Sequence, residues 1–196
     1  MTTATAPATD PDTDDVVVLL DDAGQPIGTA PRATVHSTDT PLHLAFSCHL
    51  RDAEGRTLVT RRALSKRTWP GVWTNSFCGH PRPSEAPTDT VHRYAAHELG
   101  VELSGLTCVL PAFRYRATDP GGTVENELCP VYTATTTSAI VPDPEEVLEH
   151  RWVSLEELRG VVDVAPWALS PWLLEQVAEI AAAGGWPHRT ADLAPR

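Results

Sequence analysis

"GHPRPSEAPTDTVHRYAAHELGV", Gly79 to Val101, is the stretch on which the fold turns. Its first third is too rich in Pro and Gly for a regular element. From Pro87 the pattern changes: Val91, Ala95 and Leu99 fall on one helical face. Thr88 is placed to cap that helix, and Gly100 to end it in a left-handed turn. Five residues separate Gly79 from Glu85, and seven separate Glu85 from Arg93. Glu98, Gly100 and Val101 complete the spaced set.

The surroundings read as alternating strands and turns. "DVVVLL" (15–20) is a buried strand, and "DDAGQPIG" supplies turn chemistry after it. "LHLAFSCHLRD" (42–52) reads as one long strand, "AEG" as a turn, and "RTLVTRRA" (56–63) as the return strand of a hairpin. Residues 69–83 read as irregular. Two strands are expected at 107–118 and 123–137, joined by "DPGG". "HRWVSLEELRG" predicts a short strand and then a helix with a Ser154/Glu157 capping box. Residues 170–183 predict a last amphipathic helix. The sum is an α+β domain: a mixed β-sheet sandwiched by helices. Expected limits are a disordered acidic tail at 1–14, a single domain at 15–183 and a flexible C-terminal tail at 184–196.

Several side chains stand in patterns that chemistry uses. In an extended "CGH", Cys78 and His80 point to one side, and Gly79 lets the backbone run close to another group. Taken alone, such a pair is more often a structural cysteine beside a surface histidine. In "VENELCPV", Glu125 and Glu127 share one face of an otherwise apolar strand; a half-buried carboxylate pair calls for a cation or a proton. A solvated strand face is the plainer account of the pair in isolation. His43 lies within an apolar strand, and His36 lies in the loop before it. Together, His36, His43, His80, Glu125 and Glu127 would make a nitrogen and oxygen set suited to Mn²⁺, Zn²⁺ or Fe²⁺ rather than Ca²⁺. "TRRALSKR" offers Arg61, Arg62, Lys66 and Arg67 for phosphate. Neighbours on a strand face oppositely, so only one of Arg61 and Arg62 can serve, and Arg62 is favoured. Arg82 and Arg93 could add charge.

Composition narrows the partners. The 196 residues carry a net charge of −11 and only 15 Lys and Arg. Nucleic acid and anionic membrane are therefore disfavoured. No apolar run reaches the length of a membrane span, and no secretory signal is read. Cys48, Cys78, Cys108 and Cys129 form no CxxC pair, so reduced thiols in a cytoplasmic protein are expected. The expected state is a monomer or weak dimer.

The stretches "LHLAFS", "LVTRRALSK", "WPGVWTN", "CGHP", "FRYRATDP", "VENE" and "SPW", in that order, resemble the type I isopentenyl-diphosphate isomerases, a family with the Nudix fold. The resemblance spans about residues 15–175. Gly79–Val101 is then similar to a degenerate Nudix box. Tyr94 and His97 replace two box glutamates that hold Mg²⁺ in the hydrolases, which disfavours hydrolysis. The resemblance implies reversible conversion of isopentenyl to dimethylallyl diphosphate through a tertiary carbocation. It puts the catalytic cysteine on Cys78 and the catalytic glutamate on Glu127, with Tyr115 hydrogen-bonded to that glutamate. Glu127 with Tyr115 is favoured as acid and Cys78 as base. The implied metal site is His36, His43, His80, Glu125 and Glu127, holding Mn²⁺, Zn²⁺ or Mg²⁺. A Mg²⁺ carrying the diphosphate is implied at Glu98. Diphosphate contacts fall on Arg32, Arg62 and Lys66, and Trp172 lies over the prenyl chain. Tyr94 and Ala96 stand where relatives are expected to have basic residues. A pyrophosphohydrolase and a non-enzymatic diphosphate-binding module are the competing readings.

Overall fold

Two sheets share a pair of strands that cross from one to the other, and the site grows out of that crossing. A computed structural model describes residues 15–186; the tail expected at 1–14, and 187–196, lie outside the described residues. The elements in order are β1 (Val16–Leu20), β2 (Pro26–Pro31), the short α1 (Arg32–Val35), β3 (His43–Leu44), β4 (Phe46–Arg51), β5 (Thr57–Arg62), β6 (Trp73–Thr74) and β7 (Phe77–Gly79). They continue with α2 (Pro87–Leu99), β8 (Ser104–Leu110), β9 (Arg114–Thr118), β10 (Val124–Leu128), β11 (Val131–Thr135), β12 (Val147–Val153), α3 (Leu155–Val164), a 3₁₀ turn at Pro166–Ala168, and α4 (Pro171–Ala182). One sheet has the order β2-β1-β3-β10-β9. The other runs β12-β5-β4-β11-β8, with β6 beside β5 and β7 beside β4.

The single strand expected at 42–52 is two. It breaks at Ala45, with β3 in the first sheet and β4 in the second. The strand expected at 123–137 breaks in the same way between β10 and β11. Pro130 has no N–H for a ladder, so the pairing must change there. Backbone bonds from Ala45 N to Leu128 O (2.9 Å) and from Ser47 N to Pro130 O (3.1 Å) carry the two chains across together. Both crossing pairs, β3 with β10 and β4 with β11, are parallel. The strand expected at 107–118 also divides, into β8 and β9 around Pro111. The stretch read as irregular holds β6 and β7, and the presumed turn "DDAGQPIG" already contains the start of β2, an exposed edge strand bounded by prolines.

α2 begins at Pro87 behind Ala86, with no side-chain cap, so Thr88 does not serve as one. Proline at the first helical position has no N–H to leave unpaired. Gly100 ends α2 at φ 64°, its N–H bonded back to the carbonyls of Ala95 and Ala96. Ser154 and Glu157 do form the capping box of α3. Val91, Ala95 and Leu99 pack against Phe46, Leu50, Leu58 and Phe77 on one side of the second sheet. On the other side Val59 meets Leu158 of α3 and Leu173 and Val177 of α4. Leu58 and Val59, adjacent on β5, thus serve opposite helical layers. Trp186 is buried beside Phe113 and Trp172, three residues past the expected domain limit of 183.

Gly79 is required from inside the molecule. A Cβ there would lie 2.3 Å from Cζ of Tyr94, well inside van der Waals contact. We expect Gly79→Ala to lower stability by about 1–3 kcal/mol through overpacking. In a Tyr94→Ala background the same glycine substitution should cost little in thermal melts, whatever Tyr94→Ala costs by itself. An unchanged melting temperature in Gly79→Ala would count against this packing account.

Candidate active site

Strand register assembles the site in one row. His43 on β3 pairs with Glu127 on β10, and Glu127 pairs with Tyr115 on β9. Directly opposed residues point to the same face, so three adjacent strands aim an imidazole, a carboxylate and a phenol at one spot. Glu125, two residues back, shares that face and is buried. Cys78 arrives from the second sheet on β7. All except His43 line one cleft of about 330 Å³, with His36, His80, Arg32, Arg62, Lys66, Glu98 and Trp172. Cys78 and Glu127 therefore face a shared hollow.

The histidines form a tight knot. Atoms of His36, His43, His80 and Glu127 able to bind a cation all lie within 4.8 Å of one another. His36 Nε2 is 3.0 Å from Glu125 Oε2, and His43 Nε2 is 3.5 Å from Glu127 Oε1. Despite these distances, His36 Nε2, His43 Nε2 and Glu125 Oε2 are buried with no hydrogen-bond partner among the described residues. Buried polar atoms left unsatisfied are costly, so converging ones call for something between them. His43 Nδ1 is 2.9 Å from Pro41 O. Donating there leaves the Nε2 lone pair facing the cluster, the arrangement of a metal-binding histidine. Three imidazoles and the Glu127 carboxylate fit a divalent transition ion. Of the five residues that sequence reasoning grouped, these four converge, and Glu125 joins them through His36.

Charge in the knot is shared unequally. Burial alone would raise the pKa of Glu127, but the neighbouring His43 and His80 rings outweigh it and hold the carboxyl well below the usual range. Burial lowers His43, yet Glu127 more than compensates and the net shift is upward; at His80 burial prevails and the shift is downward. Tyr115 Oη donates to Glu127 Oε2 at 2.9 Å, and burial carries its own pKa far up. Burial pushes the Cys78 thiol up to about 11, against the pull of Ser47, Arg62 and Asn75. Cys78 is one of four free cysteines.

The phosphate side is partly pre-neutralised. Arg62 lines the cleft, donates to Thr68 O at 2.9 Å and lies 5.8 Å over the Trp172 ring. Arg61 instead pairs with Glu149 at 2.7 Å, as the strand alternation requires. Lys66 is ion-paired with Glu146, and Arg32 with Asp15 at 2.5 Å. Arg93 does not add free charge: Glu85 takes it at 2.7 and 2.6 Å. Trp69 packs edge-on against Trp172, while Trp73 packs beside α3 and α4.

Glu98 is buried among these charges. Burial chiefly lifts its pKa to about 8; Lys66 opposes this and Glu146 adds to it. The folded state then holds a proton that the unfolded chain releases near 4.5, so stability falls as pH rises through that interval. Chelator-treated protein is expected to melt at lower temperature at pH 8 than at pH 5. Glu98→Gln should flatten that slope, and Mg²⁺ should oppose it in the parent protein alone. Identical slopes in parent and variant would refute the assignment.

Three residues escaped the sequence reading. Asn75, fully buried, accepts from Cys78 Sγ (3.2 Å), Trp172 Nε1 (2.9 Å) and Thr74 Oγ1 (2.9 Å) at one oxygen. Its amide donates to the carbonyls of Phe77 and Cys48, which fixes its orientation. Ser47 and Gln176 lie behind Cys78. The available signals were Ser47 sharing the strand face of His49, and Gln176 one helical turn after Trp172.

Two mixed sheets with helices on both sides, and a carboxylate-lined cleft at the sheet crossing, define a Nudix-type protein. The NUDIX domain family matches residues 41–174. A solved structure of DR0079 from Deinococcus radiodurans superposes with a TM-score of 0.66 at 20% identity, covering 84% of this chain and 98% of that one. The MutT protein of Methanosarcina mazei Go1 gives 0.58 at 18% identity, covering 74% and 96%. These likenesses establish the fold. Among curated relatives, the isopentenyl-diphosphate Delta-isomerase of Clavibacter michiganensis is 62% identical over 83% of this chain and 84% of its own. That of Frankia alni is 59% identical over 87% and 88%. The chain belongs to the isopentenyl-diphosphate Delta-isomerase family, within the NUDIX domain proteins.

Proposed function

We infer that this chain interconverts isopentenyl and dimethylallyl diphosphate, a step of isoprenoid biosynthesis. The carrying observation is that Cys78 and the Tyr115-bonded carboxyl of Glu127 line one cleft with the Arg62 and Trp172 side chains. An unactivated alkene needs a proton delivered at one carbon and another removed at its neighbour. We assign protonation of the terminal methylene to Glu127, with Tyr115 as its hydrogen-bond partner, and removal of the proton nearer the diphosphate to Cys78; this assignment requires the proton that rests on the Cys78 thiol to be on Glu127 when the alkene is bound. Trp172 offers its ring face to the tertiary cation, worth about 2 kcal/mol when desolvated. Arg62, Lys66 and Arg32 would hold the diphosphate, and Glu98 would be the carboxylate for a Mg²⁺ that neutralises its charge.

His36, His43, His80, Glu125 and Glu127 would hold the second ion, Mn²⁺, Zn²⁺ or Mg²⁺. Its positive charge would orient Glu127 and set its acidity. A cytoplasmic, reducing setting suits this chemistry, because Cys78 must stay reduced, free of a disulfide. The ligand class is a small prenyl diphosphate. No helix among the described residues is long and apolar enough to cross a membrane.

The test is incubation of isopentenyl diphosphate with the protein, first as purified and then after chelation. Dimethylallyl diphosphate should form, disappear with chelation, and return on adding Mn²⁺, Zn²⁺ or Mg²⁺, the best restorer naming the ion. Release of inorganic phosphate instead would make it a hydrolase; tight binding without turnover would make it a carrier.

A further inference from the structure

Behind Cys78 a line of polar side chains runs away from the cleft into the core. Ser47 is opposite Cys78 in the β4–β7 pairing. Its Oγ is 3.6 Å from Cys78 Sγ and 3.4 Å from Cys129 Sγ. Gln176 Nε2 on α4 donates to Ser47 Oγ at 2.9 Å, and Gln176 Oε1 lies 2.8 Å from His49 Nε2. None of Ser47, His49 and Gln176 is more than 1% exposed. Packing does not demand this trio. Apolar groups of the same shape would be nearly neutral for stability, whereas breaking the line at one member strands a buried polar atom.

The line has a direction. Burial lowers the pKa of His49 to about 4, so the ring is neutral and has one N–H. Gln176 donates its amide N–H to Ser47, so its Oε1 faces His49 and can only accept, which puts the ring's one N–H on Nε2. The Ser47 oxygen is thereby an acceptor from Gln176; its other lone pair can take the Cys129 S–H at 3.4 Å, which leaves the single hydroxyl proton for Cys78, whose own S–H is used elsewhere. Cys78 Sγ meanwhile donates to Asn75 Oδ1. The sulfur is therefore held from two sides, by a fixed acceptor and by a hydroxyl whose own oxygen is fixed from behind.

We propose that Ser47, oriented by Gln176 and His49, is a positioning residue for the isomerisation: it holds the Cys78 sulfur in one place at the cleft wall. The proposal rests on the isomerase reading and on the part of Cys78 in it. No bond is made or broken at Ser47; its hydroxyl stays protonated and only fixes where the sulfur meets the reacting carbon. Misplacement of a reacting atom by about 1 Å can cost about 10²-fold in rate. Substrate binding, which depends on groups across the cleft, should be untouched.

The experiment compares the parent enzyme with Ser47→Ala, Gln176→Met and the double variant, by kcat and KM for isopentenyl diphosphate and by thermal melting. Each single change should lower kcat about 10- to 100-fold, with KM within about twofold. The double variant should be no slower than Ser47→Ala, because Gln176 acts only through Ser47; such non-additivity marks residues acting as one unit. A kcat equal to the parent's in either cooperatively melting single variant overturns the proposal. So does a multiplicative loss in the double variant, or a rise in KM that matches the fall in kcat. Should one single variant not fold, the kcat and KM of the other decide. An inactive parent would remove the isomerase reading itself, an outcome distinct from an active parent with unaffected variants.

Discussion

Glu127→Gln is expected to lower kcat by about 10⁴-fold, at the upper end of what a general acid–base group contributes, while the fold survives. Two losses coincide at this residue. Its carboxyl is the group assigned to protonate the alkene. It is also the hub of the knot: His43 and His80 lie 3.5 and 3.3 Å from Oε1, and Tyr115 donates to Oε2. An amide has nearly the same shape but one fewer acceptor atom. Its NH₂ must face either the knot, where a carboxylate oxygen would be needed for an ion, or the Tyr115 hydroxyl, which donates and needs an acceptor. Metal content should fall along with turnover, measurable on the purified variant. Turnover within tenfold of the parent would show that the carboxyl does not carry the proton.

Cys78→Ser is expected to stop isomerisation by about 10³-fold yet leave the first half of the reaction running. Serine can still meet Ser47 and Asn75, so the wall keeps its shape, but a hydroxyl ionises far less readily than a thiol, so the base is missing. With Glu127 intact the terminal methylene is still protonated reversibly. In deuterated water the variant should exchange the methylene hydrogens of isopentenyl diphosphate without forming dimethylallyl product, followed by NMR. Glu127→Gln should show neither exchange nor product. The reverse pattern, exchange in Glu127→Gln and none in Cys78→Ser, would swap the acid and base assignments. Full activity in both variants would remove the mechanism.

Much of this site was legible because its residues sit in regular local patterns. Period-two alternation placed Glu125 and Glu127 on one face and chose Arg62 over Arg61, and both hold in the cleft. Helical periodicity placed Val91, Ala95 and Leu99 together, and all three are fully buried. The long run from Arg61 to Pro81 carried the family resemblance without any geometry. Other readings failed where a local signal met a tertiary demand. "LHLAFSCHLRD" is continuous in propensity, but its partner strand contains Pro130, so both must change sheets at that point. Arg93 looked free to meet phosphate, but its neighbour in space is Glu85, which it holds near a pKa of about 2.

Alone, the linear order of residues determined the chemical types on offer, the faces of α2 and of the strands carrying Glu127 and Arg62, and the family. Only the folded chain decided that His36, His43, His80 and the two glutamates meet, and that Asn75, Ser47 and Gln176 stand behind the thiol. The reason is range. Periodicity reports which way a side chain points from its own backbone, over a few residues. The contact of Ser47 with Gln176 spans 129 positions, and that of His80 with Glu127 spans 47. Such meetings depend on strand register and on the crossing between two sheets, which no local pattern encodes.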